Sequence, residues 1–282
     1  GNGTMGAIVY GGQDKDVISL NDITLWTGEP DREVTTPDAY KAIPEIRALL
    51  EKEDYRAADR TQRKVQGHYS ENYQPLGRLN ITYLGRSASV MNYERVLDIS
   101  QAIAKTTYEV GEKPFECDYF ASAPDSVIVL RIRSEEEGGI KAILSFDSQL
   151  PHSVQAGGNE ISAEGYAAYH SYPSYYNEVG NKHLYDPDRG VHFRTLIRVS
   201  VSDGSVKSYA SGELKLDGVH EALILVANVT SFNGFDKDPV REGRDYRKKV
   251  ERRMEQASKK EYAELRDNHV SDYQSSFNPV KL

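Results

Sequence analysis

The chain has 282 residues, 38% hydrophobic and 28% charged, which excludes disorder and predicts a globular body of one large β domain or two ordinary ones. A formal net charge of −8 argues against nucleic acid as a partner, because binding a polyanion needs a basic field over the contact surface. One cysteine excludes an internal disulfide, and no stretch approaches the roughly 18 apolar residues of a membrane helix, so no membrane span is expected.

The chain opens at Gly1-Asn2-Gly3 with no initiator methionine and no charged-then-apolar leader, so a trimmed front is expected. Met5 to Tyr10 and Val17 to Leu20 read as strands separated by Gly11-Gly12. A helical insertion follows. Thr36-Pro37 suggests a cap and first turn, and Pro44 restarts the pattern with Ile46, Leu49 and Leu50 at helical spacing. Asp54 is placed to cap a further helix that carries Tyr55, Ala58 and Val65 inward and closes at Gly67.

From Leu76 to Val229 strands dominate. Val127 to Ile132 and Leu223 to Val229 are continuous apolar runs, which suit strands buried on both faces. Ile140 to Phe146 and Val191 to Val201 alternate, as strands with one wet face do. Phe115, Cys117 and Tyr119 share one strand face, so the cysteine reads as a buried, inert thiol. Gly and Asp turns between these segments predict a mainly β fold, a large antiparallel β-sandwich. Beyond Phe235 the composition changes to Arg, Lys, Glu and Ala. Tyr246, Val250, Met254 and Ala257 form one helix stripe, and Tyr262, Leu265 and Val270 suggest a second helix. Arg244, Arg247, Lys248, Lys249, Arg252 and Arg253 read as a solvated face of the first. The expected division is therefore a sandwich over residues 1–235 and a C-terminal helical linker over 236–282, the latter ending without an obvious stop.

No autonomous catalytic constellation stands out. The seven histidines are scattered, without metal-ligand spacing, and no metal or cofactor is expected. Gly1 to Gly6 matches a dinucleotide glycine spacing but has no strand before it and no helix after it. Asp186 and Asp188 lie in a Pro-Asp-Gly loop, where turn geometry explains them. Two clusters invite a functional reading. Trp26, the sole tryptophan, opens a Trp-Thr-Gly-Glu-Pro loop and could plug the sandwich end or face a sugar or an adjoining domain. Tyr166, Tyr169, Tyr172, Tyr175 and Tyr176 surround His170 and Pro173. Of these, Tyr172, Tyr175 and Tyr176 could form an aromatic platform for a sugar, or the loop could simply fold over the sheet.

Read in order, the motifs resemble family 95 of the glycoside hydrolases. The segments that carry the resemblance are Asn2-Gly3-Thr4-Met5-Gly6-Ala7, Leu20-Asn21-Asp22 with Trp26-Thr27-Gly28-Glu29-Pro30, Tyr73-Gln74-Pro75-Leu76-Gly77, Phe120-Ala121-Ser122 with Pro124-Asp125, and His269-Val270 with Asp272-Tyr273-Gln274. The departures are Arg78, where the family's motif carries Asp, and Thr27, where it carries Ser. The resemblance implies an N-terminal super-sandwich and a helical linker leading to an (α/α)6 catalytic barrel. It also implies inverting hydrolysis of terminal α-L-fucosides, commonly α-1,2-linked, or of α-L-galactosides, in a periplasmic or extracellular setting. The implied partners are the missing barrel and fucosylated or galactosylated glycans. Family catalytic residues lie in the barrel, so no catalytic residue is expected in this chain. Asn2, Trp26, Gly28, Pro30, Tyr73 and Gln74 are the candidates for a domain interface or pocket rim. The alternatives are a free-standing carbohydrate-binding module and a partner-binding subunit.

Overall fold

The computed structural model describes residues 1–31, 36–67, 69–86, 89–177 and 179–280. Along the chain run β1 (Met5–Val9), β2 (Lys15–Asp22), the helices α1 (Ile43–Glu51) and α2 (Tyr55–Gln62), β3 (Gly77–Tyr83), β4 (Val90–Asp98), β5 (Ile103–Val110) and β6 (Lys113–Ser122). There follow β7 (Val127–Ser134), β8 (Ile140–Asp147), β9 (His152–Gly157), β10 (Glu160–Tyr166), the two-residue β11 (His170–Ser171) and β12 (His183–Leu184), and β13 (His192–Val201). The chain finishes with β14 (Ser205–Ser208), β15 (Leu214–Val219), β16 (Glu221–Thr230), α3 (Tyr246–Ala257) and α4 (Tyr262–Phe277).

All described pairings are antiparallel. A six-stranded sheet has the order β1-β2-β3-β8-β15-β14, and an eight-stranded sheet the order β4-β5-β6-β7-β16-β13-β10-β9. Alternation decides how they face each other. In β2 the residues Ile18 and Leu20 point inward, as do Leu79 and Ile81 in β3 and Leu144 and Phe146 in β8. They meet Phe115, Cys117 and Tyr119 of β6, Leu130 and Ile132 of β7, and Ile224 and Val226 of β16. The expected β-sandwich is what forms, and burial holds the Cys117 thiol well above its usual pKa, so it stays protonated and inert.

The two continuous apolar runs have a direct cause. β7 and β16 are central in the larger sheet, and helices α3 and α4 cover its outer face. A second core therefore joins Phe120, Val127, Val129, Leu196, Leu225 and Val229 to Val250, Met254, Ala257 and Leu265. The expected stripe of α3 is the buried one. Arg253 departs from the solvated-face reading: three positions after Val250, it falls on the flank of the stripe. It donates from Nη1 to the Asn228 carbonyl at 2.9 Å, and burial lowers its pKa. Arg247 is exposed but pairs with Glu164 at 2.7 Å.

His269 of α4 is 5% exposed and stacks on Phe120 with centroids 4.7 Å apart. Its Nε2–H donates to the Ala102 carbonyl at 3.2 Å. Burial lowers the ring's pKa below its ordinary 6.5, so the folded state binds its proton less readily than the unfolded chain. Stability is therefore whole above pH 6.5, declines as pH falls through the folded value, and levels off beneath it. Urea midpoints measured across this window are expected to show the decline, and His269→Gln to remove it. An unchanged pH dependence in the variant would refute the assignment.

The helical insertion differs from expectation in three details. Thr36-Pro37 opens a turn, with Ala39 N donating to the Thr36 carbonyl at 3.0 Å, and residues 39–42 form a 3-10 turn rather than an α-helix. Asp54 does cap α2, accepting from Ala57 N at 3.1 Å. Tyr55, however, is 64% exposed, because α2 buries only Ala58 and Thr61. The helix ends at Gln62 in a 3-10 turn over Arg63–Val65, before Gly67 is reached.

Candidate functional site

Four connections converge at one end of the sandwich: the segment after β2, the approach to β3, the long β10–β13 connection and the stretch between β16 and α3. Buried Leu25 and Leu76 anchor the first two. The backbones are then stitched together, with Thr27 N donating to the Asn72 carbonyl at 2.8 Å, Gly28 N to Ala168 at 3.1 Å and Gln74 N to Leu25 at 2.9 Å.

Glu71 is the hub. Its Oε2 accepts from Thr27 Oγ1 and, at 3.1 Å, from Ser171 N, and its Oε1 accepts from His170 Nδ1 at 2.7 Å. Asn72 extends the network, donating from Nδ2 to Ser171 Oγ at 2.8 Å, and that hydroxyl is 2.7 Å from His183 Nδ1. A carboxylate that holds three donors is a fixed ordering element of the loop. Gly28 sits against it at φ +105°, and a Cβ there would lie 2.6 Å from Glu71 Cγ. Any other residue would suffer both strain and collision.

Trp26 is thereby held 45% exposed. Its Nε1 donates to the Ile23 carbonyl at 3.0 Å, and the indole meets Tyr73 edge to face, with centroids 6.2 Å apart. Pro30, Phe232 and Pro239 line a small recess beside it with Phe235, which is 88% exposed. Across the rim, Arg189 pairs with Glu29 and lies 3.6 Å over the Tyr169 ring.

Of the six rim candidates, Trp26, Gly28 and Pro30 lie together here, and Tyr73 stands at the corner with the smaller sheet. Gln74 turns inward and is 8% exposed, because the strand-like alternation that carries Tyr73 outward carries its neighbour in. Asn2 locks a turn: its Oδ1 accepts from Thr4 N at 3.1 Å and Met5 N at 2.7 Å, and its Nδ2 donates to the Ser122 carbonyl at 3.0 Å. In the tyrosine loop, Tyr172 and Tyr176 stack on each other at 5.6 Å, and Tyr69 and His170 pack against them. Tyr175 alone of the three points away, 75% exposed. Asp186 accepts from Asp188 N at 2.9 Å, a turn geometry.

The pattern reading did not reach Glu71, Phe235 or the Arg189–Glu29 pair. Their partners are distant in sequence, 99 residues for Glu71 with His170 and 160 for Glu29 with Arg189, and no spacing rule spans such distances. Among the described residues no group of three or more His, Cys, Asp or Glu could hold a metal ion. No helix among them is long and apolar enough to cross a membrane.

Residues 1–234 match the family model described as glycosyl hydrolase family 65, N-terminal domain. All of the chain aligns at 32% identity with Alpha-L-fucosidase 2 of Arabidopsis thaliana, spanning 34% of that protein. It aligns at 28% identity with "Probable alpha-fucosidase A" of Aspergillus niger, spanning 35% of it. The chain thus spans about a third of the length of these curated relatives. Among solved structures, a bacterial glucoamylase complexed with acarbose is similar at 10% identity and TM-score 0.40, over 67% of this chain and 29% of that one.

Proposed function

The chain belongs to the family of glycosyl hydrolase family 65 N-terminal domains, and from that premise we propose that it is the non-catalytic front domain of an α-L-fucosidase-type enzyme, of the family 95 kind. In this reading it supports a catalytic (α/α)6 barrel in a longer polypeptide and contributes to the rim of the pocket. The enzyme would remove terminal α-L-fucose from glycans with inversion, commonly from α-1,2 linkages, with α-L-galactosides as the alternative substrate. A periplasmic or extracellular location belongs to the same proposal. The fucosidase names of the two relatives support the substrate class.

The observation that carries the supporting role is the pinned Trp26 loop. Trp26 and Phe235 are large apolar side chains left 45% and 88% exposed around one recess, while Glu71 fixes the loop beneath them. Rigid exposed aromatics ringed by ion pairs are the usual anchors of a buried interface. The catalytic barrel is the occupant this reading assigns to them.

The test is fucose release from 2′-fucosyllactose by residues 1–282, by the longer polypeptide, and by the longer polypeptide carrying Trp26→Ala. Release only by the longer polypeptide, weakened by the substitution, is the expected result. Release by residues 1–282 alone would overturn the non-catalytic assignment, and an indifferent Trp26→Ala would remove the interface.

A further inference from the structure

The outer face of the six-stranded sheet lies opposite the helical layer and carries a groove of about 660 Å³. Register explains it. Gly6 of β1 stands opposite Asn21 of β2, and the row Ile8, Ser19, Arg78, Asp147 crosses β1, β2, β3 and β8. The floor is low because Gly6 carries no side chain and Ser19 a short one. Tyr73 forms one wall, 41% exposed, and Ile8 another, 63% exposed.

From this geometry we infer a carbohydrate-binding groove, taking one neutral pyranose ring of a glycan against Tyr73. It is separate from the Trp26 recess and does not depend on the fucosidase reading. Three features select the ligand. The volume lies within the roughly 300–1,000 Å³ of small-ligand sites. The Tyr73 ring, steadied edge-on by Trp26, offers the kind of flat apolar face on which the C–H side of a sugar ring rests. The polar groups are suited to hydroxyls and carry no net charge: Arg78 donates from Nη2 to Asp147 at 3.0 Å, so the pair offers donors and acceptors together.

Asn21 adds an independent sign. Its Oδ1 is buried with no hydrogen-bond partner among the described residues. Buried side-chain oxygens are rarely left so. Its side chain lines the groove beside Gly6, and a turn of the amide toward a ligand hydroxyl would satisfy it. An anionic ligand is disfavoured, since the Arg78 guanidinium that lines the groove is already paired with Asp147 and the chain carries a net charge of −8.

Gly6 supplies a clean blocking test. Its backbone is not in the left-handed region, and a Cβ there would come no closer than 3.8 Å to Asn21 Nδ2. Valine suits a strand, so Gly6→Val is expected to keep the fold and fill the groove floor. The experiment titrates the 15N-labelled 282-residue chain with methyl α-L-fucopyranoside, methyl β-D-galactopyranoside and, as an open-chain control, sorbitol. Amide shifts are followed by NMR. The expected result is a saturable shift of Gly6, Ser19 and Asn21 with at least one pyranoside and none with sorbitol, abolished by Gly6→Val at an unchanged melting temperature. Tyr73→Ala should weaken binding about fivefold to tenfold, the size of one lost ring contact, and it serves as the second variant should Gly6→Val fold poorly. No shift with either pyranoside, shifts that survive both variants, an equal response to sorbitol, or shifts centred on Tyr172–Tyr176 would each overturn the inference. A fucose-release assay that failed would leave it standing.

Discussion

Asp22→Ala is expected to cost about 3–5 kcal/mol of folding stability, the range for removing one member of a buried charged network. Asp22 is 2% exposed at the end of β2, where the Trp26 loop begins. Its Oδ1 accepts from Thr24 N at 2.9 Å and Thr24 Oγ1 at 2.6 Å. Its Oδ2 accepts from Asn228 Nδ2 at 2.8 Å, and Asn228 Oδ1 in turn accepts from Thr195 Oγ1 at 2.8 Å. The network therefore passes from one sheet to β16 and β13 of the other. On the far side, Arg253 donates to the Asn228 carbonyl, and Asp22 is the carboxylate that offsets the burial of its charge. Alanine at position 22 would leave Asn228 Nδ2 with no acceptor in a fully buried site and Arg253 without its counter-charge. Asp22→Asn, which retains one acceptor oxygen and the shape, should cost less, about 1–3 kcal/mol. Urea unfolding of both variants is the measurement. Because Trp26 is the only tryptophan, its fluorescence also reports on the loop directly. A loss of under about 1 kcal/mol for Asp22→Ala would mean that water replaces the network without penalty.

How much of this was legible in the sequence depends on the range of the interaction. Features written within one element could be read. The runs at Val127–Ile132 and Leu223–Val229 implied strands buried on both faces, and the Tyr246, Val250, Met254, Ala257 stripe named the docked side of α3. The same stripe held a signal that composition obscured: Arg253 sits beside Met254 on the inner flank, where a helical wheel places it, although it belongs to a basic run. Tyr55 shows the opposite failure. Helical spacing said inward, but α1 has no buried residue, and so little apolar surface comes together there that the ring stays in water. The Glu71 hub and the groove over Gly6 could not be read at all. Each exists only once strands and loops far apart in sequence are in register, and nothing near Glu71 marks it as the partner of Thr27, His170 and Ser171. Trp26, Tyr73 and the tyrosine loop were thus visible, while Phe235 and the polar groups that fix the Trp26 loop were not.

Ending the chain at residue 235 is expected to yield protein that aggregates and binds hydrophobic dyes. The sequence alone gives residues 236–282 the character of a helical linker, and in the structure that linker packs on the sandwich. Removing α3 and α4 would bare Phe120, Val127, Val129, Leu196, Leu225 and Val229, each at most 4% exposed in the intact chain. Full burial of one such side chain contributes about 1.5–3 kcal/mol, so exposing six exceeds the roughly 5–15 kcal/mol margin of an ordinary domain or comes close to it. Polar ties would be lost as well: Lys260 pairs at 2.7 Å with Asp125, whose side chain is 2% exposed, and Tyr262 donates to Asp118 at 2.8 Å. Without Lys260 that nearly buried Asp125 carboxylate has no cation beside it. Met254→Ala provides a graded version, with an expected cost of about 2–5 kcal/mol from the cavity it leaves against β16 and β7. Size-exclusion chromatography and thermal melts of the two variants against the intact chain decide the matter. If residues 1–235 remain monomeric with an unchanged melting temperature, the helices are a tether lying on the sheet. If they aggregate while Met254→Ala melts early but stays monomeric, the helices are the third layer of the fold, and any onward connection to a catalytic domain begins from a rigid platform rather than a flexible arm.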